Sequence, residues 1–242
     1  LWLKEKAMRT YKILGFLLTY PTQEHQAALE ECLALLRHEK ILSDKGISSL
    51  EELMASFEKT DLLDLQDEYV SLFDRTPSLS LHLFEHIHGD SRERGQALVD
   101  LSNVYAEAGL VITAEETPDY LPLFLEYISN LPPSDVNENL SSVIDITTAI
   151  GERLKNRGSF YSLVFDALSE AASCKANPKV VAAALNKASG EAYDLEQLDK
   201  EWEEQFAFDN TLPINGQNDD CPRASEMLAR MNITPEEKEV RK

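Results

Sequence analysis

Apolar positions recur at intervals of three and four along most of this chain, the period of a helix with one buried face. Over 5–19 the repeat is Met8, Tyr11, Leu14, Leu17 and Leu18, and Tyr20-Pro21 ends it, because a residue before proline avoids the α region. Thr22 is placed to cap a second helix whose apolar face is Leu29, Cys32, Leu33 and Leu36. Gly46 reads as loop punctuation. Ser49 with Glu52 three residues later fits a capping box for a helix through Met54 and Phe57. Thr60 or Asp61 opens another, carrying Leu62, Leu65, Tyr69, Leu72 and Phe73, of which the last three read as core.

Beyond a short stretch at 69–100, Ser91 is placed to cap a helix running through Leu98, Leu101, Val104 and Tyr105 to a stop at Gly109. Val111 to Thr113 has β character but is too short to pair usefully. Helices are expected near 120–130, 138–156, 160–173, 178–189 and 194–206, separated by Pro132-Pro133, Gly158, Pro178 and Gly190. From about Asp209 the chain becomes polar and turn-rich. The pattern predicts an all-α fold: a single bundle of about nine to eleven helices over 1–208, with a loosely held polar tail over 209–242.

Charge narrows the function. Asp and Glu number 43 against 23 Lys and Arg, a net of −20, which disfavours nucleic acid and anionic membranes as partners. The acids are also segregated. Between Arg94 and Arg153 no Lys, Arg or His occurs, while Asp100, Glu107, Glu115, Glu116, Asp119, Glu126, Asp135, Glu138, Asp145 and Glu152 do. Tyr105, Tyr120, Phe124 and Tyr127 are interleaved with them, a composition suited to a basic amphipathic helix or leader peptide. A merely solubilising acidic face is the plainer alternative. Cys32, Cys174 and Cys221 are far apart and form no C-x-x-C pair, so a reducing compartment is expected. No apolar run approaches the roughly 18–20 residues that span a bilayer, and a cytoplasmic protein without stable membrane association is the expectation.

Catalytic motifs are few. No G-x-S-x-G, P-loop or dinucleotide fingerprint is present. His82-Leu83-Phe84-Glu85-His86 has the H-x-x-E-H order of inverted zincins, with the two histidines one turn apart on a helix, and a zinc-dependent hydrolase is the enzymatic alternative. That helix is confined to about two turns by Pro77 and Gly89. The plainer reading has polar groups on a half-exposed helix, with His86 or His88 near its C-terminal end. A generic adaptor for basic helices is a third possibility.

The stretch 69–101 also carries a resemblance. Leu72-Phe73-Asp74-Arg75, Leu83-Phe84-Glu85-His86, His88-Gly89, Ser91-Arg92 and Arg94-Gly95-Gln96 resemble the signature of the respiratory nitrate reductase delta subunit, within the redox-enzyme maturation chaperones. Thr117-Pro118-Asp119-Tyr120-Leu121-Pro122, followed by Leu125-Glu126-Tyr127, resembles the segment that lines the peptide groove in that family. The resemblance implies a non-enzymatic chaperone with no catalytic residues and no bound metal or cofactor. Its partner would be the N-terminal segment of the catalytic (alpha) subunit, held while molybdenum cofactor and iron–sulfur cluster are inserted before membrane attachment. Cofactor-delivery proteins are further candidate partners. The expected peptide-binding residues are Arg75, Glu85, His86, His88, Arg92, Asp119, Tyr120, Phe124, Glu126 and Tyr127. Asp119 also reads as an N-cap for a helix beginning at Tyr120, and Arg75 and Arg92 as structural partners of Glu85 or Asp90. Tyr120 stands where the wider family has histidine, and a phenol does not titrate near neutrality.

Overall fold

The period of three and four is realised as ten α-helices in a computed structural model that describes residues 8–88, 92–112, 116–172 and 174–189. They are α1 (Arg9–Phe16), α2 (Gln23–Glu39), α3 (Asp44–Lys59), α4 (Leu62–Tyr69), α5 (Leu83–His88), α6 (Arg92–Glu107), α7 (Leu121–Ile128), α8 (Pro133–Asn156), α9 (Ser162–Ala171) and α10 (Pro178–Ser189). A π turn, Val70–Asp74, prolongs α4, and a 3-10 turn, Pro77–Leu79, leads towards α5. No strand occurs among the described residues, so the all-α expectation holds. The expected helix at 194–206 and the tail at 209–242 lie outside the described residues. No described helix is long and apolar enough to cross a membrane.

α1 runs through the middle. It packs on α2, α7 and α9, with Leu14 and Leu18 fully buried. Gly15 lets α7 approach: a Cβ there would lie 3.1 Å from the Pro122 carbonyl oxygen. α8 and α9 form the other central pair, joined through Gly158, whose φ of +70° suits the glycine that ends α8. Between these helices Tyr161 is sealed among Phe57, Tyr69 and Phe73, with ring centroids 5.0 to 6.2 Å away. Tyr69, Leu72 and Phe73 are buried, as the pattern predicts for core residues.

Helix starts follow local chemistry, with one correction. Thr22 caps α2, and the reciprocal partner is an imidazole: His25 Nδ1 accepts the Thr22 N–H at 3.2 Å while Thr22 Oγ1 accepts from the His25 N–H. Asp61 caps α4 through the Leu63 N–H. The expected capping box at Ser49 and Glu52 does not form. α3 begins six residues earlier, where Ser43 accepts the Gly46 N–H and Glu170 of α9 accepts the Ser43 N–H, so Gly46 is helical and not loop punctuation. The tertiary contact from Glu170, invisible in local sequence, moved the boundary. Val111 and Ile112 are not in a strand.

Candidate functional site

Two distant pieces of chain meet at the start of α5. Residues 81–83 and 119–121 form a single antiparallel bridge between His82 and Tyr120, with the Leu121 N–H donating to Leu81 O at 2.8 Å and the Leu83 N–H to Asp119 O at 3.0 Å. The Asp119 side chain, fully buried, accepts the Phe84 N–H at 3.0 Å. Asp119 therefore supplies the N-terminal cap of α5 from 35 residues away, and not of α7. The N-cap position of α7 belongs to Tyr120, with Pro122 in the first turn, where its missing N–H costs nothing.

A hydrogen-bond relay backs this cap. His82 Nδ1 lies 2.9 Å from Thr117 Oγ1, and the Thr117 hydroxyl donates to Asp119 Oδ1. His82 Nδ1 is itself 3.5 Å from that carboxylate, and its Nε2 is 3.6 Å from Glu116 Oε2. The Asp119 carboxylate raises the His82 pKa; burial opposes it, and Glu85 and Glu116 add to the rise. Burial alone would raise the Asp119 carboxyl, but hydrogen bonds from His82, Thr117 and the Phe84 backbone outweigh it and hold the group below its ordinary value. His86 behaves oppositely: burial lowers its pKa, and its Nε2–H donates to Ser80 O at 2.8 Å.

This geometry does not present His82 and His86 as a metal-binding pair. His82 precedes α5 and sits in the bridge, with Nδ1 aimed at Thr117, whereas His86 spends Nε2 on a backbone carbonyl. The two rings are engaged in different directions, and among the described residues no group of three or more His, Cys, Asp or Glu side chains could hold a metal ion.

A phenol pair joins the bridge to α1. Tyr69 donates to Leu18 O at 3.0 Å, and the Tyr120 hydroxyl is 2.9 Å from the Tyr69 oxygen. Burial pushes the Tyr120 pKa up to about 12. Tyr105 of α6 donates to Pro118 O at 2.9 Å and lies 4.7 Å, ring to ring, from Tyr127 of α7.

The matching pattern of residues extends far beyond this site. Residues 21–162 match the family described as nitrate reductase delta subunit. The chain is 39% identical over 207 residues to the probable nitrate reductase molybdenum cofactor assembly chaperone NarW of Escherichia coli K12, covering 84% of this chain and 86% of that one. It is 38% identical over 198 residues to NarJ of the same strain, a nitrate reductase molybdenum cofactor assembly chaperone, covering 80% and 81%. The chain belongs to the nitrate reductase delta subunit family. A probable NarJ of Bacillus subtilis is 29% identical over 156 residues, 63% of this chain and 82% of that one. All three relatives are named as assembly chaperones and none as a catalyst.

The expected peptide-binding residues of this delta subunit family member fall into three groups. Arg75 is exposed, and Glu85, Tyr120 and Glu126 are half-exposed, with Glu85 paired to Arg94 at 3.0 Å and Glu126 to Lys12 at 2.6 Å. Asp119, Phe124 and Tyr127 are buried, and His86 is half-buried. The side chains of His88 and Arg92 lie outside the described residues. Glu85 pairs with Arg94, a base the sequence reading did not single out for it; the suggested pairing with Arg92 or through Asp90 lies outside the described residues. Thr117 entered the sequence reading only as part of the groove-lining segment, and His82 as a metal ligand or an ordinary polar group, neither as a partner of Asp119. Sequence reasoning also missed Arg153 of α8, which donates to Ser78 O at 2.6 Å and to Ala184 O at 2.8 Å, tying α10 to the 3-10 turn. The only signal in the sequence for Arg153 was its position as the first base after a long acidic run.

The histidines predict opposite pH responses. Burial lowers the His25 pKa, and its Nδ1 must stay unprotonated to accept from Thr22. The folded state then binds fewer protons than the unfolded one, so this contribution is full above about pH 6.5 and is lost as pH falls through the folded value. For His82, with a raised pKa, the contribution is full below about pH 6.5 and is lost as pH rises through the folded value. In an NMR titration of the imidazole carbons, His82 is expected to titrate above a free histidine, and His25 and His86 below it. The reverse order would overturn the hydrogen-bond assignments.

Proposed function

We propose that this chain is a dedicated, non-enzymatic chaperone for assembly of respiratory nitrate reductase, working in the cytoplasm. Its client is the N-terminal segment of the catalytic (alpha) subunit, held soluble while molybdenum cofactor and iron–sulfur cluster are inserted. Both are cargo of the client, delivered by cofactor-delivery proteins, and neither is a resident group of the chaperone. The observation that carries the reading is the identity of 38–39% over most of the chain to NarJ and NarW of Escherichia coli. The physical support is the net charge of −20 and the absence of any base between Arg94 and Arg153, which attract a basic leader and repel a second acidic copy.

Arg75, Glu85, Tyr120 and Glu126 meet the client from the surface. Asp119, Phe124 and Tyr127 act from behind, since in this conformation they are buried; broad contact through them requires the segment 116–120 and α7 to part. His86, His88 and Arg92 complete the set taken from the family signature. Calorimetry with a client N-terminal peptide of about 15 residues, four helical turns, is expected to give micromolar or tighter binding. In 1 M salt, where the screening length is about 3 Å, affinity is expected to fall. No binding at hundreds of micromolar would sink the proposal, and a salt-independent constant would remove its electrostatic part.

A further inference from the structure

The apolar arc of α6 is wider than the part the bundle covers. Leu98, Leu101 and Tyr105, three and four residues apart, face inward, yet Tyr105 is the one buried residue among the described side chains of this helix. A second series, Ala97, Leu101, Val104 and Ala108, follows at intervals of four, three and four, so it forms a continuous stripe along one edge of that arc. Ala97 and Leu101 are half-buried, Val104 is 41% exposed and Ala108 is exposed; Val111, just beyond, is 83% exposed. A helix needing only its own fold would carry polar residues at such positions. The buried residue is firmly pinned, through the Pro118 carbonyl and the Tyr127 ring, so α6 has a fixed anchor for whatever lies along its outer edge.

The flank of the stripe is charged with one sign. Asp100 and Glu107, both exposed, stand four residues before and three after Val104, on the side of the stripe turned away from Tyr105. Arg94, the last base before Arg153, is already paired with Glu85. An apolar edge bordered by exposed acids, of which Asp100 accepts only the neutral Gln96 amide among the described residues, fits a helix with an apolar stripe and a basic margin, and it repels a second copy of a chain of charge −20.

We propose that the edge Ala97–Leu101–Val104–Ala108 of α6 is a docking rail for one basic amphipathic helix, the client segment itself. This rests on the client reading above and adds to it an edge formed by none of the ten expected peptide-binding residues. The helix lies along α6, its apolar stripe on Leu101 and Val104 and its bases beside Asp100 and Glu107.

The test uses the full chain and the client N-terminal peptide of about 15 residues. Val104→Lys is expected to weaken binding by about tenfold or more, with the melting temperature unchanged because the site is exposed. Leu63→Lys, at a 73% exposed position on α4, is the control and is expected to bind like the wild type. A photo-crosslinking residue at position 104, but not at 63, is expected to capture the peptide, a readout that survives even if the lysine variant folds poorly. Tight binding that neither Val104→Lys nor crosslinking registers would overturn the rail and leave the client reading intact. No binding by the wild type would remove both.

Discussion

Replacing Asp119 by alanine is expected to lower the unfolding free energy by about 2–4 kcal/mol, on the order of 10 °C in melting temperature for a chain of this size. The substitution strips α5 of its cap by removing the carboxylate that accepts the Phe84 N–H, and removes the group that orients Thr117 and His82. Asp119→Asn is the informative comparison. Its amide oxygen still accepts from Phe84, so the cap survives while the charge facing His82 is lost, and the His82 pKa should drop. Because the Asp119 carboxyl is held below its ordinary value, its contribution is fully present above about pH 4 and disappears as pH falls through the folded pKa. Urea denaturation as a function of pH reads both effects. A loss under about 1 kcal/mol for the alanine variant would mean that the cap is replaceable and the bridge is not held by this carboxylate.

Gly151→Ala is the second large effect. A Cβ at this position in α8 would stand 2.7 Å from Phe165 Cβ in α9, and a β carbon has no flexible end to swing away. The two central helices would have to separate along an interface that includes Tyr161, Val164 and Phe165, all buried. Overpacking of this kind costs about 1–3 kcal/mol, although alanine has the better intrinsic helix propensity by about 1 kcal/mol. Thermal unfolding of the variant should show a clear net loss. An unchanged or raised melting temperature would show that α8 and α9 are less tightly apposed.

The helices were legible where apolar period and a local cap agreed. α2, with Leu29, Cys32 and Leu36 inward and Thr22 at its start, follows from sequence alone. So does the end of α6 at Gly109, whose φ is +79°. Legibility failed where a distant residue supplied the partner. Ser49 and Glu52 satisfied the local rule for a capping box, but Glu170 and Ser43 satisfied the backbone six residues earlier. Asp119 has the right residue type for a cap and stands two residues before α7, yet its carboxylate serves α5, because the bridge at His82 brings the Phe84 N–H to it.

The candidate site shows the same division. Its residue types and charge were visible in one dimension, since an acidic run interleaved with aromatics is a property of order along the chain. Which of those aromatics face solvent was not. Phe124 and Tyr127 occupy the inner side of α7, a helix short enough that nearly every apolar residue is buried against α1 or α8. The exposed edge of α6 was equally unreadable, because Leu98, Leu101, Val104 and Tyr105 look like one core face until the structure shows that only Tyr105 is buried.

The bridge between His82 and Tyr120 has a topological corollary. Chain that departs at residue 82 returns to the same point at residue 120, so α5 and α6 belong to a closed pendant whose two roots touch and whose inner side packs on the bundle. Lengthening a pendant at its free side does not change the distance between its roots. Val111, 83% exposed, is therefore a position at which residues can be added without re-registering α7 against α1, and at which a reporter domain can be grafted while the central helices keep their register.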